Sequence, residues 1–398
     1  MKEIKKITEG IFWTGGSDRR LERFENIFPI PEGVSYNSYF IDDEKTAVFD
    51  TADITIADQY IENLKEALGG RKLDYLVVLH MEPDHCSCID KVTALFPDVT
   101  VVGGKQTFVF MEQFFPESKD YKKLEVKEGD CLSTGAHNFK FISAPMVHWP
   151  EVLFAYDETS KALLSADAFG TFGALDGGIF ADEYDFEKDF LDSARRYYAN
   201  IVGKYGVQVQ AVLKKAQGLD IKMILPLHGP VWRKDLDVLL GKYQKWSTYE
   251  SEQDSVIVVY GSLYGHTASA AEAVASSLRE RGVSGLRVYD VSGIDVSYLI
   301  GEVWRAKKIV LMCPTYNNGI YTPMENFLSD MAALGVQNRI FALAQNGTWA
   351  PASGKLMAEK LSQLKNVTVL ENVLTIKSAL HAKDEEALNN FTDAIVNA

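Results

Sequence analysis

At 398 residues the chain exceeds what one hydrophobic core usually organises, so two domains are the natural expectation. Its 46% hydrophobic and 24% charged residues, without a low-complexity tract or internal repeat, are those of a globular protein. A formal charge of −14 argues against nucleic acid as a partner, and no apolar run reaches membrane-spanning length.

The first residues, Met1-Lys2-Glu3-Ile4-Lys5-Lys6, are charged and lack a following apolar stretch, unlike a signal peptide. Cys86, Cys88, Cys131 and Cys313 are too few and too scattered for a disulfide framework, so a reducing cytoplasm is expected. Short strands are predicted over 10–14, 36–41 and 46–50. A helix follows over 56–68, ending at Gly69-Gly70. The apolar run 73–79 reads as a buried parallel strand. It is followed by a helix from about Cys86 to Phe96, a strand over 99–102 and a helix over 107–115. From Leu124 to Asp167 the period falls to two, which predicts several strands. A long helix over 186–218 and a strand over 221–226 complete this half, an α/β sandwich of two sheets.

Residues 242–254 are polar and show no evident apolar face, so the boundary is placed there, giving domains 1–250 and 251–398. Beyond it, strands at 256–260, 286–290, 308–312, 339–344 and about 367–370 alternate with helices near 268–281, 295–303, 323–333, 353–364 and 383–397. Five strands alternating with five helices predict an open, doubly wound parallel sheet.

Chemistry concentrates after the 73–79 strand, in His80-Met81-Glu82-Pro83-Asp84-His85. If the segment stays extended, His80, Glu82 and Asp84 project to one side, and Pro83 favours that by disfavouring helix at Glu82. Two imidazoles and two carboxylates beside a buried strand are costly unless a cation collects them. The bland alternative is a hydrogen-bonded turn that caps the next helix. His148, Asp167 and His228 each stand near a strand end as well. Singly, each reads as well as a satisfied core residue.

The ordered set His80-x-Glu82-x-Asp84-His85, His148, Asp167 and His228 resembles the metallo-β-lactamase fold and, within it, the flavodiiron proteins. Metallo-hydrolases of that fold usually carry His where this chain has Glu82, and the anionic oxygen suits iron better than zinc. The resemblance implies an N-terminal metallo-β-lactamase-like αββα sandwich with two irons. His80, Glu82 and His148 would hold one iron; Asp84, His85 and His228 would hold the other. Asp167 and solvent would bridge them. Cys86-Ser87-Cys88 stands where the family commonly has small residues, and is read as packing rather than as a redox pair. Trp149 reads equally as a core tryptophan or a substrate contact.

In the second half, Ser262-Leu263-Tyr264-Gly265-His266-Thr267 follows the first strand and opens a helix, a setting suited to a phosphate dianion. Pro314-Thr315-Tyr316-Asn317-Asn318-Gly319 follows the third strand, and Asn346-Gly347-Thr348-Trp349 the fourth. All three loops lie where ligands of such sheets bind. This half resembles flavodoxin, with a five-stranded parallel sheet, and the loops match its FMN phosphate loop and its two ring loops. His266 stands where Asn is more usual.

Together the halves resemble a flavodiiron oxygen or nitric oxide reductase over nearly the whole chain. The resemblance implies FMN, two irons, dioxygen or nitric oxide as substrate, and rubredoxin or another small donor. It also implies a head-to-tail homodimer or a dimer of dimers. No Cys-x-x-Cys pair near the C-terminus suggests a fused rubredoxin. The alternatives are a zinc hydrolase with an appended flavodoxin domain, and a plain electron carrier whose first domain docks partners.

Overall fold

The computed structural model describes residues 3–398. Contacts divide the chain into two compact units, one of residues 1–197 with 207–243, the other of 198–206 with 244–398.

The first unit contains two sheets. One runs in the order Lys5–Thr8, Ile11–Trp13, Tyr39–Ile41, Ala47–Phe49, Tyr75–Val77, Thr100–Gly103 and Lys123–Glu125, antiparallel at first and parallel from Ala47–Phe49 onward. The other comprises Cys131–Ser133, Asn138–Ser143, Leu153–Asp157, Ala162–Leu164 and Met223–Leu225, with only its last pair parallel. Phe49 of the first sheet meets Phe139 of the second at 4.7 Å between ring centroids. Their inward faces form a single apolar interior, while helices such as Ala57–Leu68 bury one stripe and expose the other.

Two local expectations are corrected. The extended reading of 80–85 holds only as far as Glu82, whose backbone is extended at φ −63° and ψ 141°. A short helix, Pro83–Cys86, starts at the next residue. Pro83 therefore occupies the first helical position, where its missing N–H costs nothing, and Asp84 and His85 are turned by helical steps away from His80. The long helix expected over 186–218 is broken into Phe186–Asp189, Leu191–Tyr197, a π turn Tyr198–Val202, a 3-10 turn Gly203–Tyr205 and Gly206–Ala216. At Gly206 a Cβ would stand 2.5 Å from the Ser247 carbonyl oxygen, so this close approach admits only glycine.

The second unit is a parallel sheet in the order Arg287–Asp290, Gln253–Tyr260, Ala306–Tyr316, Ile340–Asn346 and Thr368–Val369. The last strand is split, its continuation Leu374–Ile376 also pairing with Ile340–Asn346. Val258, Ala270, Val274, Leu278, Phe391 and Ile395 lie in the core on one face of this sheet. Residues 242–254 are not a polar tether. The helix Leu236–Ser247 carries into that stretch as far as Ser247, and Trp246 is fully buried. Trp304 Nε1 donates to the Trp246 carbonyl at 3.2 Å, and buried Arg339 donates to the Tyr249 carbonyl at 2.6 Å. Two aromatics three residues apart supply the apolar face that the surrounding polar residues conceal.

Candidate functional site

In the first unit the candidate ligands lie on segments that follow strands, with Asp84 and His85 on the short helix Pro83–Cys86. His80 follows Tyr75–Val77, Asp167 follows Ala162–Leu164, and His228 follows Met223–Leu225. His148 lies in the loop between Asn138–Ser143 and Leu153–Asp157. All seven candidates are buried, His80, His85, Asp167 and His228 completely.

They form two groups, His80–Glu82–His148–Asp167 and Asp84–His85–His228. In the first, His148 Nε2 lies 2.9 Å from Glu82 Oε2 and 3.1 Å from Asp167 Oδ2, and His80 Nε2 lies 3.3 Å from Glu82 Oε2. In the second, His228 Nε2 is 3.2 Å from Asp84 Oδ2, and His85 Nε2 is 2.9 Å from Asp167 Oδ1. The two oxygens of Asp167 thus face different groups.

Neighbouring residues aim the imidazoles. His80 Nδ1 meets Glu151 Oε1 at 2.7 Å, and His228 Nδ1 meets the Ser35 carbonyl at 2.8 Å. Both Nε2 atoms therefore face inward. Asp50 Oδ1 accepts from the Leu79 and His80 amides at 2.8 and 3.2 Å, fixing the backbone at the first ligand. Phe24, Tyr36 and Tyr197 wall His228, with ring centroids 5.3, 5.7 and 5.5 Å from its own. Trp149 meets the edge of His80 at 5.5 Å and packs beside the centre. Cys86 and Cys88 are buried; Cys86 Sγ donates to the Met81 carbonyl at 3.2 Å, and burial pushes the Cys88 thiol up to about 12.

Burial alone would lower the imidazole pKa values, yet the carboxylates outweigh it. His148 is raised to about 9 by Asp167 and Glu82, and His85 to about 9 by Asp84 and Asp167. Burial likewise pushes Asp167 and Glu82 up, but the facing histidines hold both well below the usual carboxylate range. His80 Nε2, His85 Nε2, His228 Nε2, Asp167 Oδ1 and both Asp84 oxygens are buried without a hydrogen-bond partner. Leaving so many polar atoms unpaired inside a core is expensive. Convergent nitrogen and oxygen lone pairs around a shared carboxylate fit two divalent cations, with imidazole and carboxylate suiting iron.

Glu151, Asp50 and Ser35 do not stand out in the sequence. The available signal was chemical: a buried imidazole that offers Nε2 needs an acceptor at Nδ1, and Glu151 lies only three residues beyond His148.

In the second unit the three predicted loops surround a cavity of about 620 Å3. Ser262, Leu263, Tyr264, His266, Thr267, Pro314, Thr315, Tyr316, Asn317, Asn318, Asn346, Gly347, Thr348 and Trp349 line it, joined by Ala350 and Ser378, which were not anticipated. Gly265 and Gly319 do not line it. Gly265 caps the helix His266–Glu280 at φ 91° and donates to Ser262 Oγ at 3.0 Å; Gly319 pairs with Tyr316 in a hairpin. Asn346 ties two walls together, donating to Thr267 Oγ1 at 3.2 Å and accepting from the Ser378 amide at 3.1 Å. Hydroxyls and a helix N-terminus at one end, with amides and exposed rings at the other, fit a phosphorylated aromatic cofactor.

Comparison with known proteins places these features in a lineage. Residues 34–229 match the ODP family beta lactamase model, and residues 258–391 match the flavodoxin model. A nitric oxide reductase of Moorella thermoacetica is 30% identical over 387 residues, covering 96% of each chain. An anaerobic nitric oxide reductase flavorubredoxin of Aeromonas hydrophila is 29% identical, covering 84% of this chain and 68% of its own. The rubredoxin oxygen:oxidoreductase structure from Desulfovibrio gigas superposes with a TM-score of 0.92 at 26% identity, covering 99% of this chain and 98% of its own. The flavodiiron protein from Giardia intestinalis gives 0.93 at 26% identity, covering 100% and 98%. With a lactamase-like sandwich, a flavodoxin-like sheet and a relative similar from end to end, the chain belongs to the flavodiiron protein family.

Proposed function

We propose that this enzyme reduces dioxygen to water, or nitric oxide to nitrous oxide, with electrons delivered by rubredoxin or another small donor. The observation that carries the reading is the set of buried, unpartnered donor atoms around Asp167, in a chain that also carries the flavin-shaped cavity. When bound, FMN relays electrons one at a time, and the two irons bind and reduce the gas.

His80, Glu82 and His148 would hold one iron and Asp84, His85 and His228 the other, with Asp167 offering one oxygen to each group. Glu151 and the Ser35 carbonyl keep the inward nitrogen atoms of His80 and His228 aimed, so little reorganisation is needed as metal enters. The aromatic wall of Phe24, Tyr36 and Tyr197 keeps bulk water off His228. Ser262, Tyr264 and Thr267 hold the FMN phosphate, with Gly265 shaping the head of the helix behind them, and the loops at 314–319 and 346–349 border the ring. The functional division falls at 1–250 and 251–398.

A head-to-tail homodimer, alone or paired again, is part of the same reading. Tyr264 and Trp349 are 92% and 88% exposed at the cavity rim, large apolar rings that a second copy would cover. Four free cysteines accord with a reducing cytoplasm, and among the described residues no helix is long and apolar enough to cross a membrane.

The test is gas consumption by iron-loaded, flavin-replete protein driven by a reduced rubredoxin system, with the two gases in parallel. Turnover of either supports the reading, and the faster one names the substrate. If neither gas is consumed while stoichiometric zinc supports ester or thioester hydrolysis, a hydrolase takes its place.

A further inference from the structure

His266 is the residue of the phosphate loop that the resemblance leaves without a role. It is the first residue of the helix His266–Glu280, whose first turn holds no acidic residue, and its side chain lines the cavity beside Ser262 and Thr267. Among the described residues lining the cavity there is no Lys, Arg, Asp or Glu. The pocket offers a dianion backbone amides, hydroxyls and a helix dipole, and His266 is its one basic side chain.

The surrounding charges do not change this. Tyr264 and Tyr316 line the same cavity and bring hydroxyls, not a second cation. Glu272 on the same helix, Asp254, Asp290 and Lys308 on the neighbouring strands, and Glu385 on the C-terminal helix all lie outside the lining. So do Lys377 and His381, which flank Ser378.

We propose that protonated His266 is the single cation this pocket presents to the FMN phosphate, so that flavin affinity rises as pH falls through the imidazole range. The inference rests on the FMN reading of the cavity. The charge pair needs the imidazolium, so at alkaline pH binding must take up a proton at the ring or forgo the pair. Below about pH 6 the phosphate gains its own second proton and the advantage shrinks.

The full-length chain, stripped of flavin, is titrated with FMN between about pH 6.5 and about pH 8.5, following flavin fluorescence. Wild type is compared with His266→Asn, and riboflavin serves as a phosphate-free probe. The expected result is a wild-type Kd for FMN that weakens about threefold to tenfold across that range. The variant is expected to stay flat near the wild-type value at high pH, and riboflavin to bind both proteins alike at every pH. A flat wild-type profile overturns the proposal, as does a variant that keeps the slope. Equal weakening of FMN and riboflavin in the variant also overturns it, because that marks a steric role. If wild type binds neither flavin, the FMN reading itself falls and takes this inference with it.

Discussion

The Nδ1 edge of His80 rests on Glu151 Oε1 at 2.7 Å, and the same oxygen accepts the Met81 amide at 2.9 Å. One carboxylate therefore fixes both the ring and the backbone at the head of the metal centre. Glu151→Ala should weaken iron retention about tenfold to a hundredfold, with Glu151→Gln in between because its amide oxygen can still accept. Chelator competition on the purified variants measures this. Wild-type retention in Glu151→Ala would show that the contact orients nothing.

Gly229 carries a positive φ of 75°, and a Cβ there would stand 2.1 Å from Thr171 Cγ2. Its amide donates to Ser35 Oγ at 2.7 Å, beside the carbonyl that holds His228. Gly229→Ala should cost about 1–3 kcal/mol and lower iron occupancy as the loop shifts. Adding Thr171→Ser, which removes the clashing methyl, should recover part of the loss in urea midpoint. No recovery would mean that the backbone angle carries the whole penalty.

Asn346 is the tie between the phosphate loop and the segment around Ser378. Replacing it with Ala leaves the Ser378 amide without its acceptor and frees one cavity wall. FMN affinity should fall about tenfold, read by calorimetric titration, with little change in iron content. Parallel loss of iron would point to general unfolding instead.

Away from the metal centre, His137 Nδ1 meets Asp157 Oδ2 at 2.8 Å. Asp157 raises the His137 pKa against a smaller opposing effect of burial. Burial raises the Asp157 pKa, but His137, Ser160 and Thr159 together hold it down at about 2. The imidazole contributes stability fully below its unfolded pKa of about 6.5 and loses it as pH rises through the higher folded value. The carboxylate contributes above about 3.9 and loses its contribution as pH falls toward 2. His137→Asn should therefore destabilise most between about pH 4.5 and about pH 6.5, and less at about pH 9. Equal losses at both ends, by urea unfolding, would assign the pair a purely steric role.

Metal entry must expel protons, because His85 and His148 both titrate at about 9 in the metal-free protein. Near pH 7 both carry a proton that coordination excludes, and so does His80, whose burial lowers its pKa but whose neighbours Asp167, Glu151 and Glu82 raise it more. If all three bind iron, loading should release about three protons per chain. Iron affinity should then rise with pH. Anaerobic addition of ferrous iron to the stripped protein in weak buffer with an indicator dye reads the release directly. No release would mean that these imidazoles are neutral before metal arrives.

The alternation of strand and helix beyond residue 255 was legible because each buried strand is a short apolar run bounded by polar turns. His80, Glu82, Asp84, His85, His148, Asp167 and His228 stood out because buried strand ends rarely hold such chemistry. Glu151 could not be found by spacing, since nothing local ties residue 151 to residue 80. Pro83 misled because the same residue both discourages helix before itself and favours helix after itself. Trp246 and Tyr249 were hidden in a polar setting, and Ser378 escaped because the last strand is broken between Val369 and Leu374.

The hydrogen bond from His228 to the Ser35 carbonyl spans 193 positions of the chain. A ribosome that has just released His85 must add 143 more residues before His228 exists, which at ordinary elongation rates takes roughly ten to thirty seconds. During that interval the second group lacks its last histidine, and the second sheet lacks its last strand, Met223–Leu225. The group Asp84–His85–His228 therefore cannot close until nearly all of the first unit has been made, whereas His80, Glu82, His148 and Asp167 are all present well before it.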